Sequence, residues 1–246
     1  MNRVRPAPRI GVFGGTFNPI HIGHLRAAEE AAEALALERV LFVPSARPPH
    51  KAAGDESLAP AERRLAWVRL AVAGNPRFAA DPIEVERAGP SYLVETLRAL
   101  RERWGADALV FLLGQDAFAE LATWREPETL LALADFAVMT RPPLCDGSLA
   151  AWLPRSLAGE LELAPDGRSA VHRRAGTRVR LVEITALDVS ASDLRARLHE
   201  GRSVRYLLPD AVREAVEASG AYRATAGTAG AGRAGCAPPA LRESGR

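Results

Sequence analysis

Two glycines followed by two histidines make the segment from Gly14 to His24 the most informative part of the sequence. A glycine turn after a strand lets a ligand approach the backbone closely, because no Cβ stands in the way. His21 and His24 are three residues apart, so at the start of a helix they face the same way, beside N–H groups that attract anions. The segment predicts a phosphate-binding turn; the alternative is a structural turn followed by two surface histidines.

A second segment whose residues could take part in chemistry runs from Ser190 to Arg195. Ser190 and Asp193 have the spacing of a capping box, which opens a helix. Arg195 then lies in the first turns of that helix, where the helix dipole disfavours a cation. An anion bound there would remove this penalty and give the guanidinium a bidentate partner. The alternative is a capped helix whose arginine faces solvent.

The elements that must position these residues alternate between strand and helix. This alternation predicts an α/β fold, a Rossmann-like parallel sheet with helices on both faces, followed by a small C-terminal helical segment. Ligands bind such sheets at the carboxyl ends of the strands. The pattern predicts strands over 9–13, 40–43, 78–85, 108–113, 136–139 and 179–184. It predicts helices over 22–37, 61–73, 91–104, 127–134, 190–199 and 209–219, and loops with one short helix near 148–157 over 142–175.

Composition divides the chain into four parts. We expect an N-terminal arm over 1–9, a Rossmann-like domain over 10–185 and a C-terminal helical subdomain over 186–222 that carries the serine and arginine motif. Residues 223–246 are mostly Ala, Gly, Arg and Pro. Such a segment buries too little apolar surface to offset its ordering entropy, so we expect a disordered tail.

The charge balance argues against a nucleic-acid-binding protein. The net charge of the 246-residue chain is +2, and both ends are rich in arginine, so the part between them is acidic. No apolar run reaches membrane-spanning length, and no signal peptide opens the chain. Cys145 and Cys236 cannot form a disulfide framework, so we expect a cytoplasmic protein. His172 and His199 lie outside the motifs and are expected at the surface.

Taken together, the two motifs resemble the nucleotidyltransferase superfamily with an H-x-G-H signature and a late S-x-S-x-x-R signature. The resemblance extends over roughly residues 10–222 and is closest to bacterial nicotinate-nucleotide adenylyltransferases. Further matching stretches occur in the family's order: Val43-Pro44-Ser45, Pro48-Pro49-His50-Lys51, Pro90-Ser91-Tyr92, Gly114-Gln115-Asp116, Thr123-Trp124, Arg141-Pro142 and Tyr206-Leu207-Leu208-Pro209.

The resemblance implies that ATP and nicotinate mononucleotide give deamido-NAD and pyrophosphate, with Mg²⁺ accompanying ATP and no protein residue holding a metal. It assigns catalysis at the phosphates to His21, His24 and Arg195. It assigns ATP binding to Gly14, Gly15, Thr16, Phe17, Gly114, Asp116, Ser190 and Ser192. It assigns mononucleotide binding to His50, Lys51, Tyr92, Leu93, Val94, Trp124, Arg125 and Arg141.

Several of these roles have a simpler alternative. Asp116 is expected at the adenosine ribose, although an Asp after a strand is usually a helix N-cap. Trp124 is expected to stack on the pyridine ring, although a tryptophan here could belong to the core. Lys51 is expected to face the mononucleotide, although a lone loop lysine is normally just solvated.

Three positions depart from the family's pattern. Asn18 stands where Asp is frequent, Leu93 where Thr is common and Arg125 where Tyr is common. Asn18 should keep the turn, and the contact expected at Leu93 comes from the backbone. Arg125 adds positive charge beside the pyridine pocket, which would favour the acid over the amide form of the mononucleotide.

Other functions share parts of this pattern. Class I aminoacyl-tRNA synthetases also carry H-x-G-H, but they need a lysine-rich loop, and Lys51 is the sole lysine of this chain. Pantetheine-phosphate and cytidylyl enzymes remain alternatives within the superfamily, as does a non-catalytic nucleotide sensor on the same fold. The expected partners are ATP and nicotinate mononucleotide, with no nucleic acid and no membrane; a homo-oligomer is possible.

Overall fold

The computed structural model describes residues 9–48, 57–105, 108–140, 148–185 and 187–223, and the bounds below refer to them. The strands are β1 (Ile10–Gly15), β2 (Arg39–Pro44), β3 (Phe78–Ala80), β4 (Leu109–Gly114), β5 (Asp135–Thr140), β6 (Leu161–Leu163), β7 (Ser169–His172) and β8 (Arg178–Glu183). The helices are α1 (Ile22–Ala34), α2 (Ala61–Val72), α3 (Leu93–Trp104), α4 (Gln115–Ala119), α5 (Pro127–Leu133), α6 (Leu149–Trp152), α7 (Ala191–His199) and α8 (Asp210–Ala218), with 3₁₀ turns at Leu121–Thr123 and Arg155–Glu160.

The described strands form one mixed sheet in the order β3-β2-β1-β4-β5-β8-β7-β6. Strands β1 to β5 and β8 pair in parallel. Strand β7 pairs antiparallel with β8 on one side and with β6 on the other. The chain moves outward from β1 to β3 and then returns to the other side of β1 at β4. The strand order therefore reverses between β1 and β4, which is where ligands bind such sheets. The Rossmann-like fold is confirmed.

Helices cover both faces of the sheet, as predicted. Central strands are buried on both faces, which explains why their sequences are continuously apolar. On one face α1, α2, α7 and α8 pack in a core with Phe42 and Trp67. On the other face α3, α4, α5 and α6 pack with Phe111 and Phe136. The C-terminal helices thus share a core with α1 and α2, while the domain boundary after residue 185 stays a prediction.

Three elements differ from the sequence-based expectation. Strand β3 ends at Ala80, because Pro82 has no N–H for a ladder and begins a turn in which the Glu86 N–H donates to its carbonyl at 2.9 Å. Residues 115–123, for which no element was expected, form α4 and a 3₁₀ turn. The segment expected to be mostly loops contains the β6–β7 hairpin, which extends the sheet by two antiparallel strands.

The prediction that His172 lies at the surface was wrong, whereas His199 is exposed as expected. His172 is 3% exposed. Its Nδ1 accepts hydrogen bonds from the N–H groups of Arg174 and Ala175, at 3.3 and 3.0 Å, and so closes the turn after β7. The surrounding arginines make this stretch look like a solvated loop in the sequence.

A fully buried arginine on α2 connects the segments that follow β1 and β2. The Arg64 guanidinium donates to the carbonyls of Thr16 and Ser45, both at 2.6 Å, and to that of Ala46 at 3.2 Å. Its Nε donates to the Ala59 carbonyl at 2.8 Å. Burial lowers the pKa of Arg64, and the carboxylates nearby act in the opposite direction. One side chain therefore fixes three backbone segments at the carboxyl edge of the sheet.

We predict that Arg64→Met destabilises the protein by about 3 kcal/mol or more, because it removes a fully buried guanidinium and leaves four buried or half-buried carbonyls without their donor. Urea denaturation of purified protein measures the effect. The matched control is Arg63→Met, which removes an exposed guanidinium from the neighbouring position and should change stability by less than about 0.5 kcal/mol. Equal midpoints for the two variants would contradict the role given to Arg64.

Candidate active site

The turn after β1 is shaped by an aromatic side chain that folds back over it. Phe17 has a φ of +47°, a backbone conformation that is uncommon for a residue with a side chain. A Cβ on Gly15 would lie 3.1 Å from the Phe17 ring, a tighter contact than is usual, so glycine leaves room for this close approach. The Phe17 ring packs edge-on against His24, with centroids 5.1 Å apart. The turn thereby positions the imidazole that follows it.

The two histidines of the H-x-G-H motif lie ring against ring. Their centroids are 3.7 Å apart, with an angle of 31° between the planes. The His21 backbone N–H donates to Nδ1 of His24 at 3.2 Å, which places the proton of a neutral His24 ring on Nε2. His21 is only 6% exposed, whereas His24 lines a cavity. His24 is therefore the imidazole that faces the cavity, and the largely buried His21 ring stacks against it; the roles of both at the phosphates stay predictions.

The late serine and arginine motif comes to the same turn. The Ser190 hydroxyl caps α7 by accepting from the Asp193 N–H at 3.1 Å, as the spacing predicted. Arg195 donates to the Asn18 carbonyl at 2.9 Å and to the Ser192 hydroxyl at 3.2 Å. Segments far apart in the sequence thus form one cavity of about 280 Å³, the phosphate cavity, lined by Thr16, Phe17, Asn18, His24, Ala191, Ser192 and Arg195.

Asn18 holds the turn from its other side. Its Nδ2 donates to the Ser57 carbonyl at 2.7 Å, and its Oδ1 accepts from the Ala59 N–H at 3.0 Å. The Tyr222 hydroxyl donates to the same Oδ1. Burial raises the pKa of Tyr222, so this phenol stays protonated and remains a donor. The Asn therefore keeps the turn, as expected, and also attaches it to the segment before α2 and to the end of the described chain.

A larger cavity of about 310 Å³, the aromatic cavity, lies at the ends of β1, β2 and β4. Tyr92, Leu93, Trp124 and Arg125 line it, and the Arg125 guanidinium lies 4.6 Å from the centre of the Tyr92 ring, a cation–π contact. The remaining lining residues are Gly14, Gly15, Thr16, Ser45, Pro48, Glu84, Ser91, Phe111, Ala117, Thr123 and Leu130. Thr16 lines both cavities, so they adjoin at the turn.

Other expected site residues are not in these two linings. Gly114 and Asp116 lie at the end of β4 and are exposed, and Gly114, not Asp116, is the N-cap of α4. The Val94 side chain is fully buried in α3, so only its backbone could contact a ligand. Their binding roles stay predictions. His50, Lys51 and Arg141 lie outside the described residues.

Two polar residues of this region were missed in the sequence. Arg64 left a signal in the sequence. It is a cation on the apolar face of an amphipathic helix, next to Leu65 and one helical turn before Val68, both of which are buried. Glu84, a buried acid in the aromatic cavity, stands in a segment rich in charges and left no comparable signal.

The described residues contain no cluster of three or more His, Cys, Asp or Glu side chains that could hold a metal ion. The phosphate cavity offers imidazole, guanidinium and hydroxyl groups, which suit phosphate oxygens. In the described ranges no helix has the length and apolar character needed to cross a lipid bilayer.

Comparisons with known proteins identify the family of the chain. The cytidylyltransferase-like family model matches residues 12–197, a stretch that contains both motifs. A protein of Citrifermentans bemidjiense named "probable nicotinate-nucleotide adenylyltransferase" is 44% identical over 215 residues, which are 87% of this chain and 98% of the relative. The chain belongs to the nicotinate-nucleotide adenylyltransferase family.

Further relatives support this membership. A nicotinate-nucleotide adenylyltransferase homologue of Rubrobacter xylanophilus, also named as probable, is 40% identical over 218 residues, 89% of this chain and 94% of the relative. Among solved structures, Plasmodium falciparum nicotinic acid mononucleotide adenylyltransferase complexed with NaAD has a TM-score of 0.65 at 15% identity, covering 87% of this chain and 97% of that chain. At this identity the likeness concerns the fold.

We predict that Gly23→Ala lowers kcat by about 10- to 100-fold, because catalysis is sensitive to small displacements of positioned groups. A Cβ at position 23 would lie 3.0 Å from Nδ1 of His21 and would displace the ring that stacks on His24. Alanine favours a helix over glycine, so the melting temperature should not fall in parallel. The control is Gly74→Ala, where a Cβ meets nothing within 4 Å. Normal turnover in Gly23→Ala would show that the stacked imidazoles are not needed.

Proposed function

We propose that the protein transfers the adenylyl group of ATP to nicotinate mononucleotide and releases pyrophosphate, forming deamido-NAD. The observation that carries the proposal is that two cavities of different chemistry adjoin at Thr16. One is cationic and suits a triphosphate, and the other is aromatic and suits a planar ring. An enzyme that joins two nucleotides needs such a pair of sites with their reacting phosphates at the junction.

In this reaction a phosphate oxygen of the mononucleotide attacks the α-phosphorus of ATP in line. A new P–O bond forms, the bond from the α-phosphorus to the β-phosphate oxygen breaks, and pyrophosphate leaves. The protein's contribution is to position two anions and to stabilise the charge that develops in the transition state. The Nε2–H of His24 would donate to a phosphate oxygen, and Arg195 with Ser192 would hold the leaving group.

Nucleotidyl transfer from ATP generally uses a divalent metal, and we propose that it is Mg²⁺ bound to the ATP phosphates. Mg²⁺ keeps several waters and is often bound through substrate phosphates rather than through a protein cage. The residues of the phosphate cavity are compatible with this arrangement, since they offer imidazole, guanidinium and hydroxyl groups that suit phosphate and no carboxylate. The ion would neutralise part of the triphosphate charge.

The aromatic cavity would take the mononucleotide. Trp124 would stack on the pyridine ring, and the charge of Arg125, held over Tyr92, would attract the carboxylate of nicotinate. The proposed substrates diffuse freely, and we place the reaction in the cytoplasm. The proposed partners are ATP and nicotinate mononucleotide, without a nucleic acid.

A comparison of acceptors tests the function. With ATP and Mg²⁺, we expect pyrophosphate release with nicotinate mononucleotide, less with nicotinamide mononucleotide and none with phosphopantetheine. A pantetheine enzyme would show the opposite preference, and a nucleotide sensor would bind ATP without releasing pyrophosphate. Either result would overturn the proposal.

We predict that His24→Ala lowers kcat by about 10²- to 10³-fold, the usual loss for one transition-state donor. The effect should fall on kcat more than on the KM for ATP. His199→Ala is the matched control, because His199 is exposed at the end of α7, and its kinetics should equal those of the native protein. A His24→Ala variant with near-normal kcat would exclude His24 from the mechanism.

A further inference from the structure

The turn that follows α8 brings a tyrosine back against the segment after β1. Helix α8 ends at Ala218, and the chain then reverses through Gly220 and Tyr222, whose φ angles are +65° and +69°. The Ala221 N–H donates to the Ser219 hydroxyl at 3.1 Å within this turn. A left-handed backbone is uncommon for a residue with a bulky side chain and costs free energy. The conformation of Tyr222 must therefore be offset by interactions of its side chain.

The Tyr222 side chain makes two such interactions. Its ring packs near that of Trp67 on α2, with centroids 6.1 Å apart and an angle of 52° between the planes. Its hydroxyl donates to Oδ1 of Asn18, in the turn after β1. The ring is thus held against the core, and the hydroxyl is held at the turn that lines the phosphate cavity.

The phenol supplies a donor without a negative charge. Burial raises the pKa of Tyr222, whereas the positive charges of Arg195 and Arg64 lower it without cancelling the rise. In the described part of the chain these two guanidinium groups donate to carbonyls and to one hydroxyl, and to no carboxylate. A carboxylate in place of the phenol would pair with Arg195 and reduce the charge available to a phosphate. The neutral phenol leaves that charge to the ligand.

Asn18 connects Tyr222 to the cation of the phosphate cavity. Its Oδ1 accepts from the Tyr222 hydroxyl and from the Ala59 N–H, and its backbone carbonyl accepts from Arg195 at 2.9 Å. Asn18 and Arg195 line the cavity, and Tyr222 stands behind them. We propose that Tyr222 is a positioning residue for phosphate transfer, which holds Asn18 and thereby the carbonyl to which the Arg195 guanidinium is bound. This assignment rests on the proposed function.

The test removes the hydroxyl and keeps the ring. Native protein and Tyr222→Phe are assayed with ATP, Mg²⁺ and nicotinate mononucleotide, at a temperature well below the melting temperature of both. We expect kcat to fall by about 3- to 10-fold, the range for one neutral hydrogen bond. The KM for the mononucleotide should change by less than about 2-fold, because neither Tyr222 nor Asn18 lines the aromatic cavity. A Tyr222→Phe protein with native kcat would overturn the proposal even if it melts earlier, because the hydrogen bond would then serve only the fold.

Tyr206→Phe is the matched control. It removes the same hydroxyl from a tyrosine that also has a positive φ, +66°, but is 80% exposed. Its kinetics should equal those of the native protein. A loss of kcat as large as that in Tyr222→Phe would show that the effect does not come from the contact with Asn18, and the proposal would be overturned.

A double-mutant cycle tests the connection through Asn18. Asn18→Ala removes the acceptor, so adding Tyr222→Phe to it should lower kcat by less than about 2-fold further. If the two losses multiply instead, the phenol acts by another route and the proposal is wrong. Should Asn18→Ala not fold, the comparison of the two tyrosine variants decides by itself.

Failure of this assignment is distinguishable from failure of the proposed function. Native protein that releases no pyrophosphate with any acceptor would overturn the function, and this assignment with it. Native protein that is active, together with an equally active Tyr222→Phe, would overturn this assignment alone.

Discussion

The turn after β1 is held by guanidinium groups that reach its backbone from two helices far apart in the sequence. Arg64 of α2 donates to the Thr16 carbonyl, and Arg195 of α7 donates to the Asn18 carbonyl. Carbonyl oxygens carry partial negative charge and would repel a phosphate beside them. Because cations engage these two, the turn can accept an anion without a change of backbone conformation at the moment of binding. Preorganisation of this kind is what charge stabilisation in a transition state requires.

These two contacts depend on packing elsewhere in the protein. Helices α2, α7 and α8 share one core with α1, so the distance from each helix to the turn is fixed by close-packed apolar side chains. Tyr222, just after α8, packs near Trp67 of α2 and donates to Asn18. A loop at the edge of a parallel sheet would be mobile by itself. Here the core that stabilises the fold also sets the geometry of the phosphate cavity.

The regular part of this architecture could be predicted from the sequence because its signals are local. Apolar runs and helical spacing gave the parallel strands and the main helices, and Ser190 with Asp193 marked the start of α7. Structural features that depend on residues distant in the chain could not be predicted from the sequence. The sequence around His172 gives no sign of its burial, and that around Glu84 gives no sign of a cavity that also receives residues from β1, β4, α3 and α5. Short elements such as β6 and β7 carry too few residues for a periodic pattern to emerge.

The distribution of charge between the two cavities follows from the order of the strands. At the reversal between β1 and β4, one cavity lies toward α7 and receives its arginine, and the other lies toward α3 and the β3–α3 segment and receives an acid. Under the proposed function, the cavity with the arginine would take the triphosphate and the aromatic cavity would take the mononucleotide. Thr16, which lines both cavities, would then lie where the attacking phosphate meets the α-phosphate.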